Sequence, residues 1–329
     1  MAGGVAEQRT RIETHLDGAG AREAMVADVR EGLARPLKEL KPKYFYDERG
    51  SELFDRITEL PEYYPTRSER AILNRHAPEV IALTEARELV ELGSGTASKT
   101  RALLYAMAGA GMLRRYVPFD VDPSVVERCA EELSTLYPGL EVHGVVGDFE
   151  RHLGALPGGD GRLVAFLGGT IGNLYPAERA AMLRTIAAAL GPDDCFLLGV
   201  DLLKDPAILE AAYNDSDGVT AEFNRNALRV LNAELGGDFR VEAFEHRAFF
   251  DAERSWVEMR LRARGEQRVR LPGAGLEVSF ADGEELRTEI STKFTLEQVA
   301  DELAAAGMRS ERFFADPAGY FALSLAARA

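Results

Sequence analysis

Short apolar runs and stretches of helical period alternate through the middle of the chain. The run ELVELG, from Glu88, closes on glycine, and RRYVPFDVD, EVHGVVGDF, RLVAFLGG and CFLLGVD repeat the pattern as far as Asp201. Between them, residues 98–110, 123–136 and 176–190 read as helices. Asp122-Pro123 supplies an N-cap and a proline at the first helical position, and Gly191-Pro192 stops the third helix. Apolar strands alternating with helices of this length predict βαβ units and a parallel sheet covered on both faces.

The flanks have another rhythm. Up to about Lys43, Ala, Glu, Arg and Leu dominate and helix is expected. The segment 44–66 concentrates Tyr44, Phe45, Tyr46, Phe54, Tyr63 and Tyr64, broken by Gly50 and Pro61; such a density either caps a core or lines a pocket. Thr66-x-x-Glu69 has the form of a capping box for the next helix. Beyond Asp201, residues 206–236 read as helix. VEAFEHRAFF, SWVEMRLRARG, QRVRLP and LEVSF then follow at antiparallel spacing. Thr295-x-x-Gln298 opens a last helix that ends at Gly307, and RSERFFAD and YFALSLAAR close the chain as strands. The expectation is an α/β, doubly wound core of residues 68–202 and 291–329, interrupted by a second, discontinuous α+β unit of residues 15–67 and 203–290.

Composition narrows the function. The 329 residues are 46% hydrophobic and 28% charged, as in packed proteins, and the formal net charge is −15. Such a surface repels phosphate backbones and anionic lipid, so neither nucleic acid nor membrane is an expected partner. No apolar run approaches the roughly 20 residues that span a bilayer. The opening MAGGVAEQRT lacks the basic-then-apolar build of a signal peptide, which gives a cytoplasmic expectation. Cys129 and Cys195 stand far apart with no histidine at ligand spacing, so neither a disulfide scaffold nor a metal site is expected.

The candidate chemistry begins at Glu91-Leu92-Gly93-Ser94-Gly95, after the first strand of the alternating region. Glycines there allow a sharp turn and close approach to a ligand. A dinucleotide fingerprint wants glycine or alanine where this chain has Ser98, and a carboxylate such as Glu91 repels a pyrophosphate. A cationic ligand without phosphate, S-adenosylmethionine, fits better. An acid at the end of the next strand can accept both ribose hydroxyls. Asp120 and Asp122 compete for that role, and Asp122 already has a capping task. Asp148, in Gly147-Asp148-Phe149, either caps a helix or accepts the adenine amine while Phe149 lies against the ring. FLGGTIGNL places Gly168, Gly169, Gly172 and the polar Asn173 where open α/β sheets bind ligands.

KYFYDERGSELFDRITELPEYYPTRSE, ELGSGTASKT, FDVDPS, GDFE and FLGGTIGNL, with KDPAILEAAYND, TAEFNRN and EISTKF, together resemble the L-histidine Nα-methyltransferases of ergothioneine biosynthesis from about Lys41 to the C-terminus. The resemblance implies a class I methyltransferase (Rossmann-like) core and trimethylation of the α-amine of free L-histidine to hercynine. It implies cofactor contacts at Tyr46, Gly93, Lys99, Asp120, Asp148 and Phe149. Asn173 and Tyr213 would hold the substrate carboxylate, and Gly168 and Thr170 would lie near the amine. Tyr63, Glu289 and Ser291 would surround the imidazole, and Met259 would touch the substrate or pack in the core. Glu289 and Ser291 stand two apart, so on a strand they share a face. A carboxylate and a hydroxyl match the donor and acceptor nitrogens of a neutral imidazole.

The expected partners are free L-histidine and its mono- and dimethylated forms, acting on a monomer. The amine must lose its proton before it attacks the methyl carbon in line with the departing sulfur. His15, His76, His143, His152 and His246 all fall outside the motifs, so no single catalytic residue is expected. Gly168, Thr170 and Asn173 would act by orientation and electrostatics. The competing readings are a methyltransferase for another small amino acid or amine, a non-catalytic cofactor-binding module, and a nicotinamide oxidoreductase.

Overall fold

The computed structural model describes residues 10–16, 18–95, 97 and 99–329, apart from the side chains of residues 19, 149 and 150. The N-terminal part runs β1 (Thr10–Thr14), α1 (Gly18–Leu33), β2 (Lys38–Glu39), α2 (Glu48–Glu59) and α3 (Tyr64–Thr84). There follow β3 (Glu88–Leu92), α4 (Arg101–Gly109), β4 (Arg115–Asp120), α5 (Pro123–Leu136), β5 (Glu141–Val146), α6 (Phe149–His152), β6 (Arg162–Phe166), α7 (Pro176–Ala189) and β7 (Cys195–Asp201). Next come α8 (Pro206–Tyr213), α9 (Val219–Leu235), β8 (Phe244–Asp251), β9 (Trp256–Ala263), β10 (Gln267–Leu271), β11 (Leu276–Phe280) and β12 (Glu285–Thr292). The chain ends in α10 (Leu296–Ala305), β13 (Met308–Ala315) and β14 (Phe321–Arg328).

The large sheet has the order β1-β5-β4-β3-β6-β7-β14-β13. The first six strands are parallel, and β14 and β13 are antiparallel to their neighbours. One face is covered by Ile72, Ile81, Leu103 and Leu133, and the other by Leu183, Ile186 and Leu303, so the strands are apolar on both sides as their sequences require. The connections diverge between β3 and β6. In such sheets the crevice opens at the carboxyl ends of those strands, where the glycine turns lie.

The capping signals behave as read at two helices. The Asp122 carboxylate accepts the Ser124 N–H at 2.8 Å, and Thr295 and Gln298 cap each other reciprocally. Three expectations change. The expected N-terminal helix is preceded by β1, an extra edge strand parallel to β5, and followed by β2. The 206–236 helix is two helices, parted at Gly218 with φ 70°. Thr66 and Glu69 form no capping box: Pro65 sits in the first turn of α3, which already starts at Tyr64, and Glu69 is drawn inward by other partners.

The second sheet, β2-β12-β9-β8, packs with α2, α8 and α9 around Phe45, Phe223, Leu228 and Leu261. Its register slips between Arg287 and Glu289, a bulge centred on Thr288. A one-residue slip exchanges faces. Arg287 therefore lies on the opposite face, against the buried Glu258 carboxylate at 3.3 Å, whereas Glu289 and Ser291 share a face with Met259 and Val257. Thr288 anchors the bulge by donating to Asn224 Oδ1 at 2.6 Å. The two sheets meet at Gly172, where a Cβ would lie 2.9 Å from the Thr292 carbonyl oxygen, so only glycine lets the turn after β6 rest on the end of β12.

Candidate active site

The bend after β3 is built on positive φ at Gly93 (70°) and Gly95 (49°). Gly93 donates its N–H to the Phe119 carbonyl at 2.8 Å, and Gly95 donates to Asp120 Oδ2 at 2.8 Å. Asp120 Oδ1 accepts the Asp122 N–H at 3.1 Å. Burial pushes the Asp120 carboxyl above its usual range, against the pull of these N–H groups. Asp120 thus faces the bend while Asp122 caps α5, the division its two candidates allowed.

Glu91 differs from the expectation that its charge faces a ligand. The side chain is buried, and its carboxylate accepts from the Tyr116 hydroxyl at 2.6 Å and from the Thr100 hydroxyl. Burial pushes its pKa up to about 7. Glu91 ties the start of α4 to the sheet, and the acidic character of the bend comes from Asp120.

Lys99 reaches Glu69 Oε2 at 2.7 Å, and Glu69 Oε1 accepts the Gly168 N–H at 2.7 Å. Glu69 is completely buried. This carboxylate therefore joins the turns after β3 and β6. Gly168 has φ 82°, and a Cβ there would lie 3.2 Å from Lys99 Nζ. The turn Thr170–Asn173 follows, with the Thr170 hydroxyl donating to the Leu167 carbonyl at 3.1 Å and Asn173 half-buried. Asp148 receives Lys43 Nζ at 3.1 Å, just before the aromatic segment, and its N–H donates to His152 Nδ1 at 3.1 Å. The Phe149 side chain lies outside the described residues, as do Thr96 and Ser98.

These groups suit S-adenosylmethionine. Asp120 and Asp148 offer acceptors for ribose hydroxyls and an exocyclic amine. Lys99 and Arg101, the cations that follow the bend in the chain, are engaged by Glu69 and Glu132, so neither stands ready to balance a diphosphate.

The inner face of β12 lies across the crevice. Tyr213 and Ser291 are buried with their hydroxyl oxygens 2.8 Å apart. Glu289 has its pKa pushed up to about 7 by burial, opposed by the charge of Lys293. Tyr46, Tyr63 and Tyr213 all have their hydroxyls held well above the usual range, first by burial. Glu289 adds to the effect on each, and Asp120 adds to it at Tyr46. The partly exposed Tyr46 thus joins the Asp120 side of the crevice to the Glu289 side. Met259 is buried in the core opposite Glu289. Among the described residues there is no group of three or more His, Cys, Asp or Glu that could hold a metal ion.

Several supporting residues escaped the sequence. Asp201 accepts from the Tyr64 hydroxyl at 2.8 Å, Lys204 Nζ at 2.6 Å and Lys293 Nζ at 2.8 Å. His246 bonds the Tyr213 carbonyl through Nε2 at 2.8 Å and Asn224 through Nδ1 at 2.8 Å. Burial depresses the His246 pKa. Asn224 already accepts from Thr288 through Oδ1, so its amide N–H must face Nδ1, which fixes the neutral imidazole with hydrogen on Nε2.

The chain matches known proteins over nearly its whole length. It is 53% identical over 317 residues to a histidine N-alpha-methyltransferase of Mycolicibacterium smegmatis, covering 96% of this chain and 99% of that protein. It is 51% identical over 320 residues to the histidine N-alpha-methyltransferase of Mycobacterium tuberculosis, covering 97% and 100%. Ergothioneine biosynthesis protein 1 of Neurospora crassa is 32% identical over 283 residues, 80% of this chain and 32% of that longer protein. Among solved structures, the CcbJ methyltransferase of Streptomyces caelestis aligns at 16% identity with a TM-score of 0.44, covering 86% of this chain and all of that one. A family model described as histidine-specific methyltransferase, SAM-dependent, matches residues 25–328, and the chain belongs to that family.

Proposed function

We propose that this chain methylates the α-amine of free L-histidine with S-adenosylmethionine, carrying it through the mono- and dimethylated forms to hercynine, the first step of ergothioneine synthesis. The observation that carries the reading is the bulge at Thr288, which turns Glu289 and Ser291 together onto the inner face of β12. Gly172 seats that strand against the cofactor crevice. A carboxylate beside a hydroxyl is the minimum set that reads a neutral imidazole at both nitrogens.

In this reading the core unit (68–202 and 291–329) holds the cofactor, and histidine lies between it and the second unit (15–67 and 203–290). Gly93, Asp120 and Asp148 would contact the cofactor, with Tyr46 at its edge, and Lys99 would act through its bridge to Glu69. Asn173 would take the substrate carboxylate, with Gly168 and Thr170 beside the amine. S-adenosylmethionine supplies an electrophilic methyl group when bound. The side chains orient the amine and keep their own protons: the tyrosines are held neutral by burial, and His246 is committed to Tyr213 and Asn224. The amine proton therefore leaves to water. No described helix is long and apolar enough to cross a membrane. A monomer acting in the cytoplasm completes the proposal.

Mass spectrometry of protein, L-histidine and S-adenosylmethionine tests it. Three successive methyl additions to histidine, with none to other amino acids at equal concentration, are expected. Methylation of another amino acid in preference to histidine overturns the substrate, and no transfer to any acceptor overturns the enzymatic reading.

A further inference from the structure

Asn224 lies on α9 with no exposed surface, and its amide oxygen and both of its N–H groups have partners. The Arg260 carbonyl oxygen stands 3.0 Å from one end of the amide. A carbonyl only accepts, so that end is the nitrogen. The amide oxygen takes the Thr288 hydroxyl at 2.6 Å, and the second N–H points at His246 Nδ1 at 2.8 Å. His246 Nε2 donates in turn to the Tyr213 carbonyl at 2.8 Å. Backbone carbonyls thus fix the direction of every bond from Thr288, through Asn224 and His246, to the end of α8.

Both ends of this chain of bonds bear on the site. Thr288 is the extra residue of the bulge in β12. Pairing runs Leu286 with Leu261 and Arg287 with Arg260, passes over Thr288, and resumes with Glu289 opposite Met259. In an unbroken register Thr288 would stand opposite Met259, and Glu289 would stand opposite Glu258 on the other face of the sheet. A bulge disrupts the ladder around its extra residue. Here side chains serve two β9 carbonyls beside it: the Asn224 amide at Arg260, and the Thr288 hydroxyl at Met259, 3.1 Å away. Asn224 therefore supports the bulged register from outside the sheet, at the step where the face of Glu289 is decided. At the other end, His246 grips the last residue of α8, Tyr213, which is expected to hold the substrate carboxylate.

We propose that Asn224 is a positioning residue for histidine: it keeps β12 in the bulged register, and so keeps Glu289 on the substrate side, and through His246 it holds the end of α8 in step with that carboxylate. Asn224 itself touches neither ligand. The inference rests on the reading of Glu289 as the acceptor for the imidazole N–H.

Steady-state kinetics and calorimetry test it on Asn224→Asp, Thr288→Val, Thr288→Ser and Glu289→Gln, and on the two doubles that join Asn224→Asp or Thr288→Val to Glu289→Gln. Asn224→Asp keeps the shape and loses both N–H donors, and Thr288→Val keeps the shape and loses the hydroxyl. Each is expected to raise KM for histidine about tenfold, the scale of one displaced hydrogen bond to a charged group. The affinity for S-adenosylmethionine should change little. Thr288→Ser, which keeps the hydroxyl, should stay near the parent. In the Glu289→Gln background neither change adds its full effect, because the carboxylate they aim is already gone. A parental KM in Thr288→Val, an equal loss of S-adenosylmethionine affinity, or full additivity with Glu289→Gln overturns the proposal. A parental KM in Glu289→Gln alone overturns the imidazole reading beneath it, and the Asn224 and Thr288 single variants have no part in that result. Should Asn224→Asp fail to fold, the Thr288 series carries the same cycle.

Discussion

The Glu69 carboxylate and the Gly168 amide lie 99 positions apart and meet at 2.7 Å. Through its other oxygen Glu69 holds Lys99, so one buried acid sets the spacing between the bend after β3 and the turn after β6. Gly199 makes room for it: a Cβ there would fall 2.4 Å from Glu69 Oε1. The place where a cofactor meets its acceptor thus depends on a residue that touches neither by assignment.

Replacing Glu69 by glutamine keeps the shape and removes the charge. Lys99 loses its ion pair, and the amide can accept from only one of its two present donors. A stability loss of about 1–3 kcal/mol is expected in urea unfolding. A several-fold fall in kcat should accompany it, because the two turns lose their common tether. An unfolding midpoint equal to that of the parent would show that the bridge does not hold the crevice.

Gly172→Ala is the corresponding test of the seam between the two sheets. The added methyl would sit 2.9 Å from the Thr292 carbonyl and 3.2 Å from its N, both backbone atoms. Overpacking of this kind costs about 1–3 kcal/mol. Because the displaced strand carries Ser291 and Glu289, KM for histidine should rise while the affinity for S-adenosylmethionine, measured by calorimetry, changes little. Equal losses for both ligands would contradict the placement of histidine on β12.

The alternation of strands and helices from Glu88 to Asp201 was legible because fully covered strands are continuous apolar runs and the helices carry caps. β1 was not, since TRIET is polar and becomes a strand only by pairing with β5. Pairing also hides the bulge: the parity that puts Glu289 and Ser291 on one face reads from the sequence, but the slip at Thr288 that decides which face does not. Thr66-x-x-Glu69 shows the same limit, because a Ser/Thr-x-x-Glu pattern looks alike whether the acid caps its own helix or crosses to another turn. Glu91 pointed to the right ligand class, yet its carboxylate is spent on Thr100 and Tyr116, and Asp120 is the acid that faces the bend. A lysine beside the polar TEIST gives no sign that it will be buried, so Lys293 was invisible until Asp201 was seen beside it.

His246 predicts acid sensitivity. Its pKa is depressed in the folded protein, so the unfolded chain binds the proton more readily. Stability is then full above about pH 6.5 and is lost as pH falls from there toward the folded value, at a limit of about 1.4 kcal/mol per pH unit. The added proton would go on Nδ1, which now accepts from Asn224, and would face that donor directly. Urea midpoints between pH 8 and pH 5 should decline along this limb and decline less steeply in His246→Gln. The same slope in both proteins would assign the acid loss elsewhere.

Glu289 predicts the opposite dependence. Its folded pKa of about 7 lies above the ordinary value of 4.5, so the carboxyl group is destabilising when ionised inside the fold. Its contribution is most favourable below pH 4.5 and is lost as pH rises through 7. Glu289→Gln should therefore be more stable than the parent at pH 8, on the order of 2–3 kcal/mol in urea unfolding, with little difference near pH 4.5. The same substitution should weaken histidine binding, since the amide is a poorer acceptor for an imidazole N–H than a carboxylate. A gain in stability paired with a loss of substrate would mark Glu289 as a group kept for binding at the expense of the fold. A stability difference independent of pH would remove the electrostatic account of its strain.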